Sequence, residues 1–207
     1  MARSRPSDTT DARRQRILDA AEVVLRRHGP GKTNVVDVAR ELGQTHASVY
    51  RYFASKADLL DALVERWLAR VSEPLELIAR GEGPAGDRLR RWLMALFRAK
   101  VRKVTADPEL FSTYQAIAAE SPRAVARHLA MMDEHVESII ADGVAAGEFP
   151  PGTDPRRAAR AILSGALRFH HPALLAPAPA PGPPGDQEAE DVFALLINGL
   201  RSGGGAG

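Results

Sequence analysis

The chain has 207 residues, of which 44% are hydrophobic and 26% are charged, so it can bury a hydrophobic core in one or two domains. The absence of cysteine excludes disulfides, thiolate metal ligands and thiol nucleophiles. Residues 1–56 hold 11 Lys or Arg and 6 Asp or Glu, a net charge of +5, whereas the rest of the chain holds 17 and 20, a net charge of −3. This asymmetry favours an N-terminal segment that binds a polyanion, and the simpler explanation for it is chance.

Two further absences in the sequence bear on location. No apolar run reaches about eighteen residues, so neither a membrane span nor a membrane partner is expected. The N-terminus, MARSRPSDTTDARRQR, is charged and lacks an apolar segment, so no signal peptide is expected. With no cysteine to oxidise, the chain is expected to work in the reducing cytoplasm.

Apolar residues recur at three- and four-residue spacing almost throughout, and this periodicity predicts an all-α protein of about nine helices. The predicted helices cover roughly residues 10–28, 34–42, 46–52, 55–80, 87–105, 108–119, 122–146, 155–169 and 186–200. Asn34 and Ser55 are placed to cap the second and fourth helices, and Asp154 precedes a proline at a helix start. The proline-rich residues 176–185 are expected to form a semi-rigid linker, and the glycine-rich end a disordered tail.

Residues 34–53, NVVDVARELGQTHASVYRYF, have the pattern of a helix-turn-helix. Ala39 is small enough for a second helix to cross close to it, and Gly43 follows where a tight turn needs positive φ. Thr45 is expected to cap the second helix of the pair. Val49 and Phe53 lie four residues apart and are predicted to face inward. The stretch therefore predicts three N-terminal helices that present one short helix outward.

The predicted outward face of that short helix consists of His46, Ala47, Ser48, Tyr50 and Arg51. Its start is small or polar, and longer hydrogen-bonding groups follow one turn later. This arrangement suits a helix that enters the major groove of DNA, where Arg51 can donate a bidentate pair to a guanine. The alternative is that the aromatic cluster of this stretch is simply core.

The segment GKTNVVDVARELGQTHASVYRYFASKADLLDALVERWL, and above all the run VYRYFASKADLL within it, resembles the DNA-binding domain of TetR-family transcriptional regulators. The resemblance covers about residues 10–68. It implies a homodimer that binds double-stranded DNA at a palindromic operator, usually as a repressor that a small molecule releases. It also implies the residues at or near DNA: Thr33, Asn34, Gln44, Thr45, His46, Ala47, Ser48, Tyr50, Arg51, Tyr52 and Lys56. His46 departs from the residues that many relatives carry there, so no operator sequence is implied.

Three parts are predicted along the chain: a DNA-binding domain over 1–56, a ligand-binding and dimerisation domain over 57–202, and a tail over 203–207. The last helix has two apolar stripes, so one stripe is expected to pack on its own domain and the other on a second copy. The predicted dimer interface consists of Ala161, Gly165, Val192, Leu195, Leu196 and Gly199. The alternative is a monomer with the last helix tucked inside.

A pocket for a lipophilic effector is expected among the helices of the C-terminal domain. Its candidate lining residues are Trp92, Leu96, Phe97, Phe111, Tyr114, His128, Met132 and His135. The same spacing also fits a filled core. No metal is expected, because His128 and His135 stand seven residues apart and no cysteine supplements them.

No cofactor and no enzymatic activity are expected, since the sequence has no nucleophile–base set, P-loop or dinucleotide fingerprint. The leading hypothesis is a sequence-specific repressor of the TetR type, released from its operator by a small, lipophilic ligand. The alternative is a DNA-binding regulator without a small-molecule ligand, controlled by a protein partner.

Overall fold

A computed structural model describes residues 6–175 and 184–203, with side chains from Thr10 onward. These residues contain helices and no strand, which confirms the predicted all-α class. Most of the predicted linker over 176–185 and most of the predicted tail over 203–207 lie outside the described residues. None of the described helices combines the length and the apolar character that crossing a membrane requires.

The described residues form eleven helices in place of the predicted nine or so. They are α1 (Pro6–Lys32), α2 (Val35–Glu41), α3 (His46–Tyr50), α4 (Lys56–Ala79), α5 (Ala85–Ala106), α6 (Pro108–Ala119), α7 (Pro122–Ala145), α8 (Pro155–Gly165), α9 (Leu167–His170), α10 (Pro172–Leu175) and α11 (Asp186–Arg201).

Two boundaries differ from the sequence prediction for local backbone reasons. The eighth predicted helix is interrupted at Ala166, where ψ is 4°, and the chain then forms the two single-turn helices α9 and α10. The first helix continues in hydrogen bonding to Lys32, but Gly29 breaks its regular geometry with φ 71° and ψ 177°. The regular part therefore ends at His28, where the sequence predicted the end.

The chain divides into two compact units. The first comprises Met1–Trp67 with Glu109–Ala126, and the second comprises Leu68–Pro108 with Arg127–Gly207. Helices α4 and α7 each contribute residues to both units. The predicted functional division into residues 1–56 and 57–202 stays a prediction.

The first unit is held together by an apolar core and by an ion-pair cluster between α1 and α4. Its buried apolar residues include Leu18, Ala21, Val24 and Leu25 of α1, Val35 and Val38 of α2, and Leu59 and Leu63 of α4. The guanidinium of Arg66 contacts Asp19 and Glu22, each at 2.6 Å, and donates to the carbonyl oxygen of Leu18. Because Arg66 and Glu22 are mostly buried, this pair is shielded from solvent and fixes α4 against α1.

The second unit has an aromatic core and a capped helix start. The ring of Phe169 lies 5.8 Å from Phe97 and 5.2 Å from Phe193, edge to face in both pairs. The carboxylate of Glu148 accepts hydrogen bonds from the first backbone N–H groups of α5, at Ala85 and Gly86. These N–H groups have no partner within the helix, so the carboxylate stabilises the start of α5.

Candidate nucleic-acid interface

The predicted turn between α2 and α3 is confirmed. The side chain of Asn34 accepts hydrogen bonds from the N–H groups of Val36 and Asp37, both at 3.0 Å, and thereby caps α2. Gly43 adopts φ +63°, and the N–H of Gln44 donates to Ala39 at 2.9 Å. A residue with a side chain at position 43 would be strained in this conformation.

Helix α3 and the turn after it pack on the core of the unit through two fully buried side chains. Val49 and Phe53 are 0% and 1% exposed, as the sequence predicted. The guanidinium of Arg14 lies 4.4 Å from the Phe53 ring and donates to the carbonyl oxygen of Tyr52 at 3.2 Å. Arg14 therefore ties α1 to the end of the α3 turn, and α3 has a fixed orientation within the unit.

The predicted cap of α3 by the Thr45 hydroxyl is wrong. Thr45 occupies the N-cap position but makes no side-chain capping bond. The hydroxyl of Ser48 instead donates to the Thr45 carbonyl at 2.6 Å. Because Thr45 is exposed, water satisfies its hydroxyl at little cost, and that hydroxyl keeps its capacity for a partner outside the chain.

Most of the residues proposed for DNA contact are accessible to solvent. Those that are exposed are Gln44, Thr45, His46, Ala47, Tyr50, Arg51 and Lys56, and those that are half-buried are Asn34, Ser48 and Tyr52. The ammonium of Lys56 donates to the carbonyl oxygen of Gly31 at 3.4 Å, so the start of α4 lies beside the turn before α2.

Thr33 differs from the other members of the set because it has no exposed surface. Its hydroxyl donates to the carbonyl oxygen of Gly29 at 2.9 Å, and its N–H donates to Pro30. This side chain holds the turn between α1 and α2, and a direct contact with DNA is not expected from it. The sequence prediction was based on the position of Thr33 before α2, and that position does not show whether the side chain is buried.

Two arginines of α1, which the sequence pattern did not indicate, lie beside four of the residues proposed for DNA contact. A cleft of about 310 Å³ is lined by Arg13, Arg16, Ile17, Leu42, Gln44, Ser48, Arg51 and Tyr52. Its lining contains three arginines and no carboxylate, which favours an anion. The run RRQR at 13–16 was the signal in the sequence, but only packing distinguishes the exposed Arg13 and Arg16 from Arg14, which contacts Phe53.

The residues proposed for effector binding fall into two groups. Phe111 and Tyr114 belong to the first unit, where Tyr114 stacks on Trp67 with ring centroids 4.8 Å apart. The second unit holds Trp92, Leu96, Phe97, His128, Met132 and His135. Of these, His135 is half-buried and the others are buried. Within that unit the ring of Trp92 meets His135 edge to face at 6.2 Å, and His128 Nδ1 lies 2.9 Å from the Ser72 hydroxyl.

The two stripes of α11 have different environments. Phe193, Ile197 and Leu200 are buried within the unit, as one stripe was predicted to be. In the other stripe Leu195 is 71% exposed, Gly199 is exposed, and Val192 and Leu196 are half-buried.

Helix α8 adds to this second surface. Ala161, Ser164 and Gly165 are exposed, and a Cβ at Gly165 would lie 2.8 Å from Leu196 Cδ2. Gly165 thus allows α8 and α11 to pack closely within one chain. The two helices form a shared face of small and apolar residues. It consists of Ala161, Gly165, Val192, Leu195, Leu196 and Gly199 and is called below the α8–α11 face. In the described residues, no three His, Asp or Glu side chains are grouped so as to hold a metal ion.

Comparison with known proteins identifies the family. A family model described as "Bacterial regulatory proteins, tetR family" matches residues 17–63, and one described as "Tetracyclin repressor-like, C-terminal domain" matches residues 85–192. The uncharacterized HTH-type transcriptional regulator Rv0472c of Mycobacterium tuberculosis is 30% identical over 128 residues, which cover 58% of this chain and 53% of that protein. The match thus spans about half the length of that relative.

Two solved structures share the fold over nearly the whole chain. A TetR/AcrR-family regulator from Thermobifida fusca is 27% identical with a TM-score of 0.59, over 91% of this chain and 98% of that one. NalD, the secondary repressor of the MexAB-OprM multidrug efflux pump in Pseudomonas aeruginosa, is 26% identical with a TM-score of 0.57, over 94% and 97%. This chain therefore belongs to the TetR family of transcriptional regulators, proteins that are not enzymes.

Proposed function

We propose that this regulator is a repressor that binds a palindromic operator as a homodimer and is released by a small molecule bound in its C-terminal part. The observation that carries the proposal is the exposed face of α3, which stands on the buried Val49 and Phe53 beside the arginine-lined cleft. Its similarity to NalD, which is named as a repressor, supports the sign of regulation. TetR-family regulators bind DNA and small molecules, typically as dimers.

The α8–α11 face is the proposed dimer interface. Leu195 is 71% exposed and belongs to a stripe that continues through the half-buried Leu196. A two-fold axis through this face would pair α8 and α11 with their copies as a four-helix arrangement. The two α3 helices would then read half-sites about 34–36 Å apart, or a multiple of one DNA turn.

The proposal is tested by selecting bound sites from random duplex DNA and retitrating the preferred duplex against a panel of small molecules. A palindromic site that one compound releases supports the whole proposal. A palindrome that no compound releases favours the alternative of control by a protein partner, with the buried Trp92, Leu96 and Phe97 acting as filled core. Selected sites without dyad symmetry contradict the dimeric arrangement.

Arg51→Ala is expected to cost about 1–3 kcal/mol of binding free energy at one operator position, because an exposed guanidinium on α3 can pair with one guanine. The measurement is a titration of the variant against operators substituted at each position in turn. Lys56→Ala is the matched comparison, since loss of a phosphate contact should weaken binding to all sequences alike. Equal loss at every position for Arg51→Ala would assign Arg51 to the DNA backbone instead.

Arg16→Ala is expected to reduce the slope of log K against log salt by about 0.9, because one phosphate contact fewer releases fewer counterions. Its folding stability should stay unchanged, since Arg16 is exposed. Arg14→Ala is the control on the same helix: loss of its contacts with Phe53 and Tyr52 should lower the free energy of unfolding by about 1 kcal/mol. An unchanged salt slope in Arg16→Ala would remove the α1 arginines from the interface.

A further inference from the structure

The cleft formed by α1 and the residues from the end of α2 to the end of α3 is lined by three arginines. Arg13 and Arg16 of α1 and Arg51 after α3 are exposed, and none of them makes a hydrogen bond or an ion pair with a described residue. Arg13 and Arg16 stand three residues apart, so they share one face of α1. Three unpaired guanidiniums therefore meet at one concave surface.

Other arginines of the first unit are paired within the chain. Arg27 contacts Glu41 at 3.1 Å, and Arg66 contacts Asp19 at 2.6 Å. The cleft lining has no such carboxylate, so an anion from outside the chain is needed to balance its charge. A guanidinium can hold a phosphate through two parallel hydrogen bonds, and three of them suit a ligand with several negative charges.

The rest of the cleft lining is largely apolar or aromatic. Ile17 is 4% exposed, and Leu42 and Tyr52 are half-buried. The two remaining lining residues, Gln44 and Ser48, are hydrogen-bonded to each other at 3.1 Å. A backbone phosphate of DNA brings no apolar surface to match these side chains, whereas a small molecule that carries an aromatic ring beside its phosphates does.

The cleft is already formed in the free chain. Its volume of about 310 Å³ is at the lower end for small-molecule pockets, which span about 300 to 1,000 Å³. Arg14 joins its two sides, because its guanidinium donates from α1 to the carbonyl oxygen of Tyr52 and lies 4.4 Å from the Phe53 ring. A ligand therefore binds without the cost of ordering the site first.

We propose that this cleft is a second regulatory site, which binds an aromatic polyphosphate of the class of a nucleoside triphosphate and thereby competes with the operator. The phosphates pair with the three arginines, and the ring lies against the apolar lining. Because Gln44 and Arg51 line the cleft and are also proposed to contact DNA, ligand and operator exclude each other. The competition rests on the proposed function, whereas the binding of the ligand does not.

The test uses isothermal titration calorimetry of the full chain, free of DNA and magnesium, with ATP, adenosine and tripolyphosphate as probes. ATP is expected to bind about tenfold more tightly than tripolyphosphate, which has no ring, and adenosine, which has no charge, should not bind. Arg13→Ala and Arg16→Ala should each lower the ATP affinity about tenfold. Arg123→Ala is the matched control, because Arg123 is an exposed arginine of the same unit outside the cleft lining, and it should leave the ATP affinity unchanged.

Competition is measured as displacement of a fluorescent duplex that carries the selected operator, at constant ionic strength. ATP should displace this duplex, and adenosine should not. The site is rejected by any of four results: no ATP binding, equal affinity for ATP and tripolyphosphate, undiminished ATP affinity in both arginine variants, or full operator binding at saturating ATP. Circular dichroism checks that the variants are folded, and the comparison of ATP with tripolyphosphate on wild type needs no variant.

The two proposals fail separately. A chain that selects a palindrome but binds no ATP rejects the site and leaves the repressor proposal standing. A chain that binds ATP with the expected dependence on Arg13 and Arg16 but selects no palindrome supports the site and contradicts the repressor proposal.

Discussion

Leu195→Asp is expected to convert the proposed dimer to a monomer and to abolish tight binding to the proposed operator with two half-sites. Leu195 is 71% exposed in the single chain and lies in the middle of the proposed α8–α11 interface. A buried, uncompensated carboxylate costs about 3 kcal/mol or more, and two-fold symmetry places two of them in one interface. Since 1.4 kcal/mol is tenfold, the dimer dissociation constant should rise by about four orders of magnitude.

Sedimentation velocity gives the oligomeric state of this variant, and titration with the selected duplex gives its operator affinity. Leu77→Asp is the matched control, because Leu77 is 76% exposed and belongs to α4 in the same unit but not to the α8–α11 face. That variant should remain a dimer with full operator affinity. If Leu195→Asp also stays dimeric, or if Leu77→Asp dissociates, the interface lies elsewhere on the chain.

Lys100→Met is expected to stabilise the protein at pH 7 by up to about 3 kcal/mol. The pKa of Lys100 falls from 10.5 in the unfolded chain to about 8 on burial, and each pKa unit corresponds to about 1.4 kcal/mol. Below about pH 8 both states carry the proton, so the folded state bears the full cost of the buried charge. Between about pH 8 and 10.5 the unfolded state binds more protons, so stability rises with pH, and above that range the cost disappears.

Urea denaturation of wild type and Lys100→Met at pH 7 and at pH 10, at one protomer concentration, measures this effect. The variant should be more stable at pH 7, and its advantage should shrink at pH 10. Arg102→Met should show no such pH-dependent difference, because Arg102 is exposed. A less stable Lys100→Met, or an advantage independent of pH, would mean that the Lys100 ammonium has a compensating contact in the free protein.

The sequence alone supports the prediction for Leu195, but it does not support the prediction for Lys100. The Leu195 prediction follows from a stripe visible in the sequence, because four-residue spacing on α11 separates Phe193 and Ile197 from Leu195 and Gly199. The structure shows which stripe is buried within the unit. The Lys100 prediction has no such source. A lysine among apolar residues in a helix normally keeps much of its side chain in solvent, and only the packing around α5 shows that Lys100 is 7% exposed.

What the sequence by itself determined is local. It determined the helix-turn-helix of α2 and α3, because Asn34 caps a helix through N–H groups two and three residues away and Gly43 supplies a backbone conformation that others avoid. It also placed Val49 and Phe53 on the inner side of α3, because helical periodicity needs only the spacing of neighbours.

Only the tertiary structure decided which long or polar side chains are buried. It buried Thr33 and Lys100, and it distinguished Arg14, which contacts Phe53, from Arg13 and Arg16, which line a cleft. The physical reason is the distance along the chain over which each kind of interaction acts. Caps, turns and periodicity act within about four residues of the chain, whereas burial depends on distant elements whose meeting no local spacing encodes.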